Sequence, residues 1–266
     1  MIGANNKMTG TGAPGTGTEA NDPWAGLGAE LDAWLHAGLT ARFWWRDDDA
    51  TRPGPRLKRL LEVSGDTPIA VAVIPVGVEA ELAEMLAEHN AGGGNVIVMQ
   101  HGYAHENHAP AGAKKAEFGD HRPLDAMLED LIRGRRRMEE LFGPMFEPFL
   151  TPPWNRVCDS VIARLPDTGL QGLSRFGARG LSEGDRVVNT HIDIIDWRGS
   201  RGFVGQAEAL NAAIRHLVAR RTGLADRDEP TGLLTHHRDH DGECWKFIGE
   251  LRRLVTAHPA AEWVTP

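Results

Sequence analysis

Cysteine is scarce. The 266-residue chain has two, Cys158 and Cys244. They are too few and too far apart for a disulfide framework or a CxxC metal site, so both are expected to be inert thiols. Positive charge is also in deficit: 29 Lys and Arg stand against 37 Asp and Glu, for a net charge of −8 with His neutral. A general nucleic-acid binder would carry a basic footprint, so that class is excluded. The basic run at 133–137 falls inside an amphipathic helical pattern and reads as a solvated helix face. No apolar stretch approaches the roughly 20 residues of a membrane helix. The opening MIGANNKMTGTGAPGTGTEAND has no apolar signal-peptide core. The expectation is a cytoplasmic protein without a nucleic-acid or membrane partner. Its oligomeric state is left open.

What is present is alternation. Residues 1–22 are rich in Gly, Thr, Asn and Ala and are expected to be a flexible leader, with 23–266 a single catalytic domain. Helical spacing is predicted over 24–36, 55–63, 78–89, 124–142, 157–165, 206–221 and 243–256. Strands are predicted over 42–46, 69–74, 96–99, 148–150, 170–174, 187–195 and 232–235. The continuous apolar run IAVAVI at 69–74 suits a parallel strand buried on both faces. Alternating strands and helices imply a parallel sheet with right-handed crossovers. Closed into a barrel, that sheet gathers its C-terminal strand ends at one mouth, where barrel enzymes keep their chemistry.

Polar residues concentrate at those strand ends. Asp47, Asp48 and Asp49 follow the first strand, and His101, His105 and His108 the third. Trp154 and Arg156 follow the fourth, Asp193 lies on the sixth, and His236, His237 and His240 follow the last. Three adjacent carboxylates repel, and a cation offsets the repulsion. Histidines four apart share one face of a helical turn and can reach one metal. The zinc-protease pattern HExxH is absent because Gly102 stands at the Glu position, so a general base must come from elsewhere. One Asp and two His make a three-ligand set with open positions for water and substrate, suited to zinc or another divalent ion. Asp48, His101 and His105 are taken as ligands, Asp47 as base and His236 as acid. His237 replaces His236 if the strand phase is off by one, and Asp48/Asp49 remains the alternative working pair.

In their order along the chain these residues resemble the polysaccharide deacetylases of the NodB-homology type, carbohydrate esterase family 4. The resemblance runs from Phe43 to Asp241. It implies an α/β fold, a distorted (β/α)7 barrel of TIM-like kind, and metal-dependent removal of acetyl groups, chiefly N-acetyl, from a carbohydrate. The family's Asp-Asp pair matches Asp47 as base and Asp48 on the metal, and its two metal histidines match His101 and His105. Its Pro-aromatic motif resembles Pro153-Trp154. Its Asp with a Trp four residues on matches Asp193, which tunes the acid, and Trp197, which walls the acetyl pocket. Its Leu-x-His matches Leu234-Thr235-His236. A backbone N–H near Trp154 or Tyr103 is expected to steady the oxyanion, with Arg156 near the substrate.

Three positions depart from that pattern. Asp49 stands where the family has Gly, Gly102 where it has Ser or Thr, and Thr151 where it has the Arg that braces the base. Arg46 and Arg156 are the candidate replacements. Two other readings stay open: a metal-dependent hydrolase of a small non-glycan amide or imide, and a catalytically silent glycan-binding or structural barrel.

Overall fold

Ten residues, Ala41–Ala50 (ARFWWRDDDA), form β1, and the strand runs through the aspartates instead of stopping before them. That extension decides the site, because successive side chains of a strand point to opposite faces. The computed structural model describes residue 1 and residues 23–266. The expected leader, apart from its first residue, lies outside the described residues.

The remaining strands are β2 (Ile69–Val73), β3 (Val96–His101), β4 (Phe146–Thr151), β5 (Gly172–Leu173), β6 (Ile192–Asp193), β7 (Thr231–Thr235) and β8 (Ala261–Trp263). They pair in the order β5-β4-β3-β2-β1-β7-β6, all parallel, and β8 pairs with the start of β1. Parallel bridges Leu173–Val187 and Phe176–Thr190 span the gap between the sheet's two ends. The result is the expected distorted (β/α)7 barrel. Helices α1 (Pro23–His36), α2 (Pro55–Ser64), α3 (Ala80–Ala91), α4 (Leu124–Phe142), α5 (Asp159–Arg164), α6 (Gln206–Thr222) and α7 (Gly242–Ala257) accompany it. No helix of the described residues is long and apolar enough to cross a membrane.

Burial divides the strand residues by parity. Phe43, Trp45, Val71, Val73 and Val98 join the large core shared with the helices. Trp44, Ala70, Ala72, Met99 and Val188 form a small cluster of their own inside the barrel. Trp44 plugs that interior, and its indole N–H donates to the carbonyl of Asn189 at 2.9 Å. Gly232 makes room for it, since a Cβ there would lie 2.4 Å from Trp44 Nε1. Two and four residues after Trp44, on the same face, come Arg46 and Asp48. The barrel is thus filled by apolar side chains low down and by charge at the mouth.

Strands predicted over 170–174 and 187–195 shrink to two residues each. The cause is side-chain capture of the backbone. Arg179 Nη1 binds the carbonyl of Val187, Glu229 accepts from the N–H of Asn189, and Asn189 Oδ1 accepts from the N–H of Arg175. Groups satisfied this way do not need ladder partners. β8 carries no predicted counterpart, because three residues hold too little periodic signal.

Candidate metal and acid–base site

Alternation along β1 sorts the three aspartates. Asp47, fully buried, faces the helix layer with Trp45. Its carboxylate accepts from Thr235 Oγ1 at 2.6 Å and from the backbone N–H of His237 at 3.0 Å, and it pairs with His237 Nδ1. Burial alone would push this carboxyl up. The charge and hydrogen bond of His237 outweigh that and hold it below the usual range. Asp47 and His237 therefore lie apart from the mouth, where the expected base would have to be.

Asp48 faces the barrel interior. Arg46, two residues earlier on the same face, grips it with two parallel hydrogen bonds, Nε to Oδ1 at 2.8 Å and Nη2 to Oδ2 at 3.0 Å. The same guanidinium donates to Ser174 Oγ at 2.7 Å and to Asn155 Oδ1 at 2.8 Å. Arg46 thus braces Asp48. Arg156 does not: it binds the carbonyl of Lys115 at the mouth.

Asp49 breaks the alternation. Its φ of 74° turns the side chain toward the histidines. Asp49 Oδ1 lies 3.0 Å from His101 Nε2 and 3.3 Å from His105 Nε2. The structure therefore groups Asp49, not Asp48, with the two histidines.

The protons at this cluster can be assigned. His101 Nδ1 is 3.0 Å from the carbonyl of Thr151, so Nδ1 carries the hydrogen and donates it. In the neutral ring Nε2 then presents a lone pair to a carboxylate oxygen. Two acceptors at 3.0 Å repel unless a positive charge lies between them. Burial would lower the pKa of His101, yet Asp48 and the Asp49 hydrogen bond raise it. Asp49 is held far below the usual carboxylate range, hydrogen bonds from His101 and His105 outweighing its own burial. Either a proton or a metal cation satisfies this demand. Zinc–ligand bonds of about 2.0–2.1 Å at tetrahedral angles put ligand atoms about 3.3 Å apart, close to these spacings. The Nδ1–H to carbonyl contact is also the usual outer support of a metal-bound histidine. The residues present fit a divalent cation.

The loop carrying His105 is held from behind. Buried Glu117 accepts from the backbone N–H groups of Tyr103 at 3.2 Å and Ala104 at 2.7 Å. Burial raises the pKa of this carboxyl despite those bonds. Gly102 is explained by the same contact. Its φ is 60°, and a Cβ would lie 2.2 Å from Glu117 Oε2 and 2.6 Å from Pro153 Cδ. Tyr103 has its N–H committed to Glu117 and its ring beneath Arg133, and it is not among the residues lining the cavity described below.

On the opposite side His236 Nε2 is 3.9 Å from Asp48 Oδ2. Its ring lies edge-on to Trp197, centroids 4.6 Å apart, and Trp197 Nε1 donates to Asp193 Oδ2 at 2.8 Å. Asp193 also accepts from the N–H of Ile195. Asp193 thus reaches His236 through the Trp197 ring, and burial raises its pKa. Trp154 stacks against His105 at 4.5 Å.

Asp48, Asp49, His101, His105, Asp193 and His236 line one cavity of about 610 Å³ with Trp154 and Trp197. This is an ordinary size for a small-ligand site. Five non-glycine residues among those described have left-handed backbone: Asp49, His105, Trp154, Asn155 and Arg201. All five line this cavity. Such conformations cost of order 1–3 kcal/mol each and concentrate where geometry serves a site.

A second cluster has the same inventory. His191 Nε2 and His216 Nε2 lie 3.5 and 3.6 Å from Glu229 Oε2, with the rings stacked at 3.4 Å. Here the polarity is reversed. His191 Nδ1 accepts the backbone N–H of Gly232 at 2.9 Å, so the ring hydrogen sits on Nε2 and points at the carboxylate. A metal on Nε2 would require an imidazolate. Glu229 further accepts from the N–H groups of Arg179 and Asn189. Burial lowers the pKa of His191 and takes His216 down to about 4. Glu229 is lowered to about 2, its histidine hydrogen bonds outweighing its burial. This is a buried hydrogen-bond network joining β6 and β7 to α6, unsuited to a metal.

Glu117 was missed as a site residue by sequence reasoning, Asp49 was named only in the alternative pair Asp48/Asp49, and Asn155 was assigned no role. The parity of Trp44, Arg46 and Asp48 is the signal that places Asp48 in the barrel. Glu117 and Asn155 have no comparable spacing signal.

No family model matches the sequence, and no curated protein matches it. Solved structures do. A family 4 carbohydrate esterase from Streptococcus mutans has a TM-score of 0.54 at 11% identity, over 89% of this chain and 90% of that one. A family 4 carbohydrate esterase from Streptomyces lividans in complex with acetate has 0.50 at 13%, over 81% and 88%. A peptidoglycan N-acetylglucosamine deacetylase has 0.51 at 14%, over 88% and 93%. The chain has the fold of the family 4 carbohydrate esterases.

Proposed function

We propose that residues 23–266 form a divergent polysaccharide-deacetylase-like enzyme, a divalent-metal-dependent hydrolase that removes an acetyl group, chiefly N-acetyl, from a carbohydrate. One observation carries this reading: the His101 lone pair faces Asp49 at 3.0 Å, in a cavity that also presents Asp48 and His236. The fold shared with deacetylases supports it. So does the Arg46 grip on Asp48, which supplies the brace that a catalytically silent barrel would have no need to keep.

Asp49, His101 and His105 would hold the ion, and zinc suits this donor set. A divalent cation there supplies a Lewis acid for the acyl carbonyl and lowers the pKa of water. Asp48 takes the proton of the attacking water. Arg46 fixes the direction of that carboxylate and balances its charge in a buried setting. His236 gives a proton to the departing nitrogen or oxygen, and Trp197, anchored by Asp193, holds the His236 ring from the side. Trp154 and Trp197 flank the substrate.

The test is acetate release from N-acetylated sugar oligomers by zinc-loaded protein. Turnover that drops on the order of 10³-fold in Asp48→Asn and in His236→Ala supports the roles. No acetate from the loaded wild type, or full turnover in Asp48→Asn, contradicts them.

A further inference from the structure

The rim of the cavity differs in charge from the rest of the chain. Lys115, Arg156, Arg198 and Arg201 all line it, and Asp239 is the acidic residue among them at the mouth. Four cations converge on one opening of a protein with net charge −8.

Their placement is built. The Asp196 carboxylate accepts the backbone N–H groups of Arg198, Gly199 and Ser200, pinning the loop that presents Arg198 and Arg201. Arg201 has a left-handed backbone, φ 57°, and its guanidinium lies 5.2 Å from the Trp197 ring centroid. Lys115 Nζ lies 5.9 Å from the Trp154 ring centroid. Arg156 binds the carbonyl of Lys115 at 2.8 Å, tying the two cations of that side together. The two tryptophans flanking the cavity thus each carry a cation over the ring, one beside His105 and one beside His236. Asp239 engages Arg201 at 3.4 Å and leaves the other three without a carboxylate from within the cavity mouth. Guanidinium groups suit carboxylate and phosphate oxygens; the same cavity also holds Asp48, Asp49 and Asp193, so the rim cations act by direct contact with a ligand and not through a field of one sign.

We infer that the substrate is an anionic saccharide, its carboxylate or phosphate held by Arg198, Arg201, Lys115 and Arg156 while the sugar lies against Trp154 and Trp197. The inference rests on the deacetylase reading for the sugar and the acetyl group, and on the rim alone for the charge.

Calorimetric titration of zinc-loaded protein with glucose, glucuronic acid and glucose 6-phosphate tests it without turnover, since none carries an acetyl group. One or both anionic sugars should bind at least about tenfold more tightly than glucose. The two anionic arms separate carboxylate from phosphate. The advantage should shrink as ionic strength rises from about 25 to about 250 mM. It should disappear in Arg198→Gln/Arg201→Gln, and Lys115→Gln, altered on the other side, should reduce it. Equal binding of all three sugars overturns the inference. An advantage unchanged in the rim variants also overturns it, because the anion would then be bound by the metal. Absence of acetate release with the anion preference intact would instead count against the deacetylase reading.

Discussion

Two clusters in this barrel contain two histidines and one carboxylate at nearly equal spacing, yet they are opposite in kind. At Asp49, His101 and His105 the outer histidine nitrogen donates to a carbonyl, leaving a lone pair aimed at a carboxylate. At Glu229, His191 and His216 the outer nitrogen of His191 accepts a backbone N–H, so a proton is aimed at the carboxylate. The first cluster needs a cation and opens on a cavity. The second already directs a ring proton of His191 at its carboxylate and is buried on all three residues. Residue type and distance alone do not distinguish them. The partner on the far side of the imidazole does.

Removing one histidine from each should separate them most sharply. His101→Ala is expected to abolish metal binding and lower turnover on the order of 10³-fold or more. His191→Ala should keep one metal per chain and lose stability instead, read by metal analysis and thermal unfolding. Glu229→Gln comes next. It breaks a buried network and leaves donors unsatisfied, at a cost of about 3–5 kcal/mol in denaturant unfolding, with metal content unchanged.

Acid should act on the second cluster next. His216 has a folded pKa of about 4, below the 6.5 of the unfolded chain. The unfolded state therefore binds the proton first. The stability contributed by neutral His216 is full above pH 6.5 and falls as pH drops toward 4, by on the order of 3 kcal/mol. Glu229, lowered to about 2, adds a loss that begins below pH 4.5. Unfolding of chelator-treated protein across this window should show the decline, and His216→Asn should flatten its upper part. The smallest catalytic effect is expected from Asp47→Asn. It weakens the contact with His237 and costs stability, yet turnover per folded molecule should stay within about threefold, because Asp47 faces the helices.

Much of the fold was legible because periodicity reports burial. The IAVAV run and the helix over 124–142 were read from their apolar spacing, and both formed. The histidine pair was legible because it ends a strand. The aspartates were harder. Three identical side chains offer no contrast, so their phase must come from Trp44, whose parity selects Asp48 for the barrel. Asp49 then escapes parity through its positive φ, which sequence does not encode for a non-glycine residue. The Glu229 network draws on three separated segments and the Glu117 support on a loop, so neither has a spacing to read.

The central claim is that Asp49 completes the metal site while Asp48 serves as base. Zinc titration of wild type, Asp49→Ala and Asp48→Asn tests it most directly. One tight equivalent is expected in wild type and in Asp48→Asn, and at least about hundredfold weaker binding in Asp49→Ala. Wild-type affinity in Asp49→Ala together with lost binding in Asp48→Asn would contradict it.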